Sequence, residues 1–119
     1  MRNMSFSMTT EAVRRHEKTV TRRLGWWDLK PGTLLQAVEK AQGLKKGEHV
    51  KPLAVIRVVG VTREPLYAMY ERGGIGDRTE CIREGFRHLD AEGFVKMFCK
   101  ANKVRADVWV NRIEFEYVA

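Results

Sequence analysis

The run His16-Glu17-Lys18-Thr19-Val20-Thr21-Arg22-Arg23 packs an ammonium, two hydroxyls and two guanidiniums into a few residues. Trp26-Trp27 follows at once. Arginine grips phosphate oxygens bidentately, and indole faces stack on bases. A lysine whose pKa is lowered can take the proton of a threonine hydroxyl, which is otherwise a poor nucleophile. This span has the makings of the rim of a pocket for a nucleotide or nucleic acid. Whether such a pocket only binds or also reacts is left open by the Lys18/Thr21 pair.

Arg14, Arg15, Arg22 and Arg23 are the natural phosphate contacts, with Lys18 and Thr19 beside them; a solvated helix face is the plain alternative. Trp26 and Trp27 are adjacent, so in an extended segment they point opposite ways, one to the core and one free to stack on a base, the plain alternative being two core or surface-packed rings. Gly73-Gly74-Ile75-Gly76 lacks the Gly-Lys-Ser/Thr ending of a triphosphate loop and reads as a mobile loop beside the cleft. Cys81 and Cys99 are too far apart for a paired-ligand knuckle, and His16, His49 and His88 complete no zinc pattern. No metal and no cofactor is expected.

The background composition is that of a folded domain. The chain has 119 residues, 44% hydrophobic and 31% charged, enough for one domain with a core of its own. No apolar run reaches the roughly 18 residues that would suggest a membrane span, and the first residues are too polar for a secretory signal. Two cysteines make no disulfide framework, which points to a reducing cytoplasm. The net charge of +7 and pI near 9.7 favour a polyanionic partner, RNA or other single-stranded nucleic acid ahead of a membrane surface. The charge is concentrated in Arg14–Arg23 and Lys40–Lys51.

The elements that would position these groups read as follows. Ser5–Met8 is a short first strand, and Thr9-Thr10-Glu11 opens a short helix that buries Ala12 and Val13 and ends near His16 or Glu17. Lys18–Arg23 is either extended, with Thr19, Thr21 and Arg23 on one face, or helical, with Lys18 and Thr21 three apart on one face. Lys30-Pro31-Gly32 is a type II turn into a strand over Thr33–Glu39. Lys40–Lys51 is a solvated loop or hairpin excursion, and Leu53–Val61 a strand buried on both sides with Gly60 at a bulge or corner. Leu66–Tyr70 makes one helical turn, and Thr79–Arg87 is helical. Asp90 caps a helix whose Phe94, Met97, Phe98 and Ala101 repeat at helical spacing as core. Val108–Val118 closes the chain, Ile113, Phe115 and Tyr117 on one face and Glu114 and Glu116 on the other. Strands outnumber helices without a βαβ rhythm, so the expected fold is mainly β with flanking helices (α+β), a small and mostly antiparallel barrel.

Three blocks in this order resemble the ASCH domains of the PUA-like superfamily. They are His16–Arg23, a G-R-K-T-x-T-x-R-like segment followed by Leu29–Leu35 with its Pro-Gly turn; Arg83-Glu84-Gly85-Phe86 ahead of a helix; and the closing Ile113-Glu114-Phe115. The chain departs from the pattern at His16-Glu17, where many members carry Gly-Arg or Gly-Lys, and in the added basic segment Lys40–Lys51. The resemblance implies a PUA-like barrel whose cleft binds RNA or modified nucleosides. One branch deacetylates N4-acetylcytidine with the lysine and second threonine of K-T-x-T and a later glutamate, which correspond to Lys18, Thr21 and Glu84. The expectation is an RNA- or nucleoside-binding module with a basic cleft. The alternative is a hydrolase, an amidohydrolase on an acylated nucleoside or a ribonuclease, in which Lys18 is the base, Thr21 the nucleophile and Glu84 the acid or orienting group.

Overall fold

The computed structural model describes residues 1–118 apart from Gln42, Gly74 and Ile75, so the middle of the expected loop at Gly73–Gly76 lies outside the described residues. Five strands, β1 (Arg2–Ser5), β2 (Val20–Arg23), β3 (Leu34–Val38), β4 (Pro52–Pro65) and β5 (Trp109–Tyr117), form one sheet in the order β1-β3-β4-β5-β2. β1 and β3 run parallel; the other neighbours are antiparallel. The sheet is a mixed half-barrel with helices α1 (Thr10–Arg14), α2 (Thr79–Arg83) and α3 (Ala91–Asn102) on its flanks. Among the described residues no helix is long and apolar enough to cross a membrane.

The first strand lies three residues earlier than its expected place at Ser5–Met8. Met4 pairs with Ala37 and is fully buried, and the chain turns at Phe6, whose carbonyl accepts from the Thr9 N–H at 3.1 Å and the Thr10 hydroxyl at 2.9 Å. α1 buries Ala12 and Val13 as expected but ends at Arg14, and His16 takes φ +58°. That reversal carries Lys18 into a connecting loop, and β2 begins at Val20. Of the two readings of Lys18–Arg23, the extended one holds. The Lys30–Thr33 turn closes by the Thr33 N–H to the Lys30 carbonyl at 3.1 Å, with Gly32 at φ +92° as a type II turn requires.

β4 is longer than Leu53–Val61 and is not buried on both faces along its length. Ala54, Ile56 and Val58 face inward while Arg57 between them is exposed. The register then shifts between Val58 and Gly60, with Val58 opposite Phe115 and Gly60 opposite Glu114. This bulge is the feature expected at Gly60, and it reverses the strand's phase. Beyond it Val61 packs inward, while Glu64 turns to the helical side and is buried.

Two cores result. Met4, Phe6, Val13, Leu35, Ile56, Val58, Ile113 and Phe115 fill the inside of the half-barrel. Leu66, Met69, Cys81, Phe94, Phe98 and Val110 form a second core under the 3₁₀ helix Leu66–Arg72, α2 and α3. Each fully buried Leu, Ile or Phe contributes about 1.5–3 kcal/mol. β5 serves both: Ile113 and Phe115 look into the first core, Val110 into the second. Asp90 caps α3, accepting from the Gly93 N–H at 2.8 Å. α2 ends at Arg83, short of the expected Arg87, because Gly85 takes φ +88°. A Cβ there would stand 3.1 Å from both the Ala12 Cβ and the Thr9 Cγ2, so this turn passes close against α1 and only glycine fits without displacement.

Candidate functional site

The two ends of the strand order, β1 and β2, approach each other and are bridged by one side chain. Arg23 donates from Nη2 to the Ser5 carbonyl at 2.6 Å and from Nε to the Thr21 hydroxyl at 3.0 Å, with its guanidinium 4.8 Å from the Phe6 ring centre. A cavity of about 370 Å³ opens at this seam. Lys18, Thr21 and Glu84 line it together with Arg22, Arg23 and Trp26. Its far wall is the α3 stripe of Phe94, Met97, Phe98 and Ala101, so residues expected only as core also face the cavity.

The buried end is a hydrogen-bonded charge cluster. Lys18 Nζ donates to Glu84 Oε1 at 3.0 Å and to the Glu84 backbone carbonyl, with Lys18 and Glu84 side chains each 3% exposed. Phe6 and Phe86 flank the ammonium, their ring centres 5.9 and 5.7 Å away. Burial lowers the Lys18 pKa; Glu84 opposes that, Arg23 and Arg22 reinforce it, and the net direction is down. Glu84 also accepts from Arg22 Nη1 at 2.9 Å. Arg22, with no exposed side-chain surface, reaches on to Glu80 at 2.7 Å and lies 3.7 Å from Glu64. Arg112 donates to Glu80 at 2.6 Å, and Arg72 pairs with Glu64. Burial would raise the Glu80 pKa, but hydrogen bonds from Arg112 and the field of Arg22 outweigh it and hold the carboxyl at about 2.

This arrangement can grip a polar, planar molecule of modest size. Its volume is at the small end of the roughly 300–1,000 Å³ typical of small-molecule sites. The walls offer ring faces, while Lys18, Thr21 and Glu84 offer donors and acceptors. Lys18 is held by Glu84 and the Thr21 hydroxyl accepts from Arg23, so the hydroxyl proton is not needed for that contact.

No family model matches the chain, and no curated protein matches it in sequence. Its backbone does match solved structures. An ASCH domain from Lactobacillus crispatus superposes with a TM-score of 0.55 at 16% identity, over 98% of this chain and 78% of that one. The hypothetical protein PH0355 gives 0.61 at 18% identity, over 98% and 96%. A protein from Enterococcus faecalis of an uncharacterised family gives 0.59 at 18%, over 98% and 78%. The chain has an ASCH-like fold. At this identity the likeness is one of fold and carries no residue roles with it.

Within the ASCH-like fold, the residues singled out in the sequence divide into two groups. Lys18, Thr21, Glu84, Arg22, Arg23 and Trp26 converge on the cavity. Arg14, Arg15, Thr19 and Trp27 do not line it. Arg14 is exposed and pairs with Glu11 and Glu39, Arg15 pairs with Glu17, and the Thr19 hydroxyl accepts from Arg83 Nε at 3.3 Å. The Arg22 guanidinium, with no exposed side-chain surface, is held by Glu80 and Glu84 inside the ion cluster, although the residue borders the cavity. Of the cations that line the cavity, Lys18 is matched by Glu84 and Arg22 by Glu84 and Glu80. Arg23 is different: its partners are a carbonyl and a hydroxyl, both neutral. Burial lowers its pKa and Glu84 opposes that.

The tryptophan pair resolves as well. Trp26, at φ +56°, packs on the first core and lines the cavity, whereas Trp27 is 42% exposed under Arg63. Sequence reasoning missed Phe6, Glu64, Glu80 and Arg112, and named Phe86 only as part of the Arg83–Phe86 block. Glu80 and Glu84 carried a legible signal, since four residues apart on a helix puts both carboxylates on one face. Among the described residues no group of three or more His, Cys, Asp or Glu could hold a metal ion.

Proposed function

We propose that this protein binds a single RNA base or nucleoside in the seam cavity. The observation that carries the reading is the buried Lys18–Glu84 pair at the end of a cavity of about 370 Å³ with aromatic walls. A space of that size takes one small molecule and excludes a duplex. Phe6, Phe86 and Trp26 supply ring faces of the kind on which unstacked bases rest. Lys18 and Glu84, a donor and an acceptor in fixed positions, suit the hydrogen-bonding edge of a base, and Arg23, paired only with neutral groups, suits an attached phosphate. Equilibrium titration with the four nucleosides, modified nucleosides and a short single-stranded RNA tests this. Saturable binding that falls at least tenfold in Lys18→Ala is the expected result; binding unchanged by that substitution rejects the cavity as the site.

A second reading rests on a specific feature of the same cavity. The lowered pKa of Lys18 and the Thr21 hydroxyl lining the same space favour hydrolysis of an acyl group on a nucleoside, with Thr21 as nucleophile and Lys18 as base. Chromatography of N4-acetylcytidine and a panel of acylated nucleosides after incubation with the protein decides it. Turnover lost in Thr21→Val and partly kept in Thr21→Ser supports the hydrolase, because only serine retains the hydroxyl. No turnover across the panel leaves a binding module, and shortening of a single-stranded RNA oligomer incubated with the protein in parallel would assign a ribonuclease instead.

A further inference from the structure

Outside the cavity, the structure leaves two tryptophans and two arginines on a strip of surface that the reading above does not use. Trp109 is 60% exposed and Trp27 42% exposed, high values for the residue with most apolar area to hide. Arg63 lies with its guanidinium 5.0 Å from the Trp27 ring centre and donates to the Trp27 carbonyl at 3.4 Å. Arg2 lies over Trp26, 4.7 Å from its ring centre, and its charge is met by Asp28 at 3.0 Å.

These residues are contiguous because of the register. Beyond the bulge in β4, Arg63 opposes Asn111 and Pro65 opposes Trp109 on β5. Arg63 and Pro65 are two apart and share a strand face, as do Asn111 and Trp109, so Trp109 is the diagonal neighbour of Arg63 at roughly 7–8 Å. Asn111 ties the tryptophan loop down onto this face, donating to the Trp26 carbonyl at 2.8 Å. Trp26 is itself a cavity wall. A path of alternating rings and guanidiniums therefore leads from the cavity across Trp27 and Arg63 to Trp109.

We infer that this Trp27–Arg63–Trp109 strip is a track for single-stranded RNA, on which bases flanking the one held in the cavity stack. It rests on the proposed binding of a base in the cavity and extends it from a nucleoside to a strand. Exposed rings interleaved with arginines are how proteins hold single strands whatever their sequence, with rings on the bases and cations on the backbone. A duplex has its base faces covered and gains nothing from such rings. Arg63 meets Trp27 and, among the described residues, no carboxylate, so its charge is free for a phosphate. The net charge of +7 draws the strand in.

The test is fluorescence anisotropy of a labelled eight-nucleotide single-stranded RNA, with a duplex of the same length, a DNA oligomer of the same sequence and a free nucleoside as competitors. Trp27→Ala and Trp109→Ala are each expected to weaken RNA binding about tenfold, the scale of one lost stacking contact. Trp27→Phe and Trp109→Phe restore most of it, which separates stacking from damage to the fold. Arg63→Ala lowers the slope of affinity against salt by about one. Nucleoside binding is unmoved by Trp109→Ala. RNA affinity unchanged in both alanine variants, while Lys18→Ala weakens it, overturns the track and leaves the cavity standing. Loss in the tryptophan variants with none in Lys18→Ala keeps the track and rejects the cavity. Duplex competing as well as single strand, or DNA competing better than RNA, overturns the assignment.

Discussion

Replacing Glu84 by glutamine probes the charge at the centre of the site, because the side chain keeps its shape while it loses its charge and turns one of its two acceptor oxygens into an NH2 donor. Glu84 compensates two cations at once, Lys18 Nζ at 3.0 Å and Arg22 Nη1 at 2.9 Å, and their side chains are 3% and 0% exposed. Removing one partner of a buried pair costs about 3–5 kcal/mol, since the other charge is left in a low-dielectric site. Two features place this case at the lower end of that range. Burial has already moved the Lys18 pKa down, so the amine can shed its proton, and Arg22 keeps Glu80 at 2.7 Å. A loss of about 3 kcal/mol is expected, which for a chain of this length lowers Tm by about 10–15 °C. Thermal and urea unfolding followed by circular dichroism measures it. The matched control is Glu116→Gln, which removes a surface pair with Arg57 at 2.8 Å whose side chains are about half exposed; it is expected to cost under about 1 kcal/mol. Adding Lys18→Met to Glu84→Gln removes the stranded cation and recovers part of the loss, and the cycle gives the coupling directly. If Glu84→Gln costs no more than Glu116→Gln, the buried cluster does not exist as described.

Three other perturbations test the framework around that cluster. Glu80 is held at about 2 against an ordinary value of 4.5, so the unfolded chain binds more protons than the folded one between those values; its contribution is complete above pH 4.5 and is lost as pH falls toward 2. Tm measured against pH should show that loss, smaller in Glu80→Gln. Gly85→Ala places a Cβ at φ +88° and 3.1 Å from both α1 neighbours, which should cost about 1–3 kcal/mol and weaken ligand binding through the adjacent Glu84. Deleting Val59 removes the extra residue of the bulge but leaves Gly60, Val61 and Glu64 opposite Glu114, Ile113 and Val110, so both cores keep their residues and urea unfolding should stay cooperative, only the local bend of β4 being lost; Val59→Ala, at a half-exposed position, should stay within about 0.5 kcal/mol.

The parts of the fold that were legible in the sequence are those fixed by local rules. The alternation of Ile113, Phe115 and Tyr117 against Glu114 and Glu116 identified the closing strand, Asp90 marked the start of its helix, and Pro31-Gly32 marked its turn. Gly60 signalled the irregularity in β4, though not its consequence, because a phase reversal shows only once both partner strands are aligned. The site was legible as a set of residues and illegible as a charge balance. Arg22 sits 58 and 62 positions before the carboxylates that neutralise it, Glu80 and Glu84. A dense cationic run read along the chain therefore overstates what a ligand meets. The first strand was displaced for a similar reason: Phe6 is as apolar as a strand residue should be, but its carbonyl is taken by the turn into α1.

That balance bears on what salt would do to binding. Lys18, Arg22, Arg72 and Arg112 are matched by Glu84, Glu80, Glu64 and Glu114 in one network, so the cluster is close to neutral as a unit. Apart from Arg23 at the seam, the excess of positive charge accordingly lies elsewhere, on the Lys40–Lys51 segment and on exposed arginines such as Arg63. Screening acts on exposed charges and hardly on buried pairs. An uncharged nucleoside, reaching only the cavity, should bind with an affinity nearly independent of salt. An RNA strand crossing the surface should lose affinity linearly in log salt, with a slope that counts the surface cations it covers. A nucleoside whose binding weakened as steeply as the RNA's would mean that the cavity carries uncompensated charge beyond that of Arg23, and the division between a largely balanced pocket and a basic surface would fail.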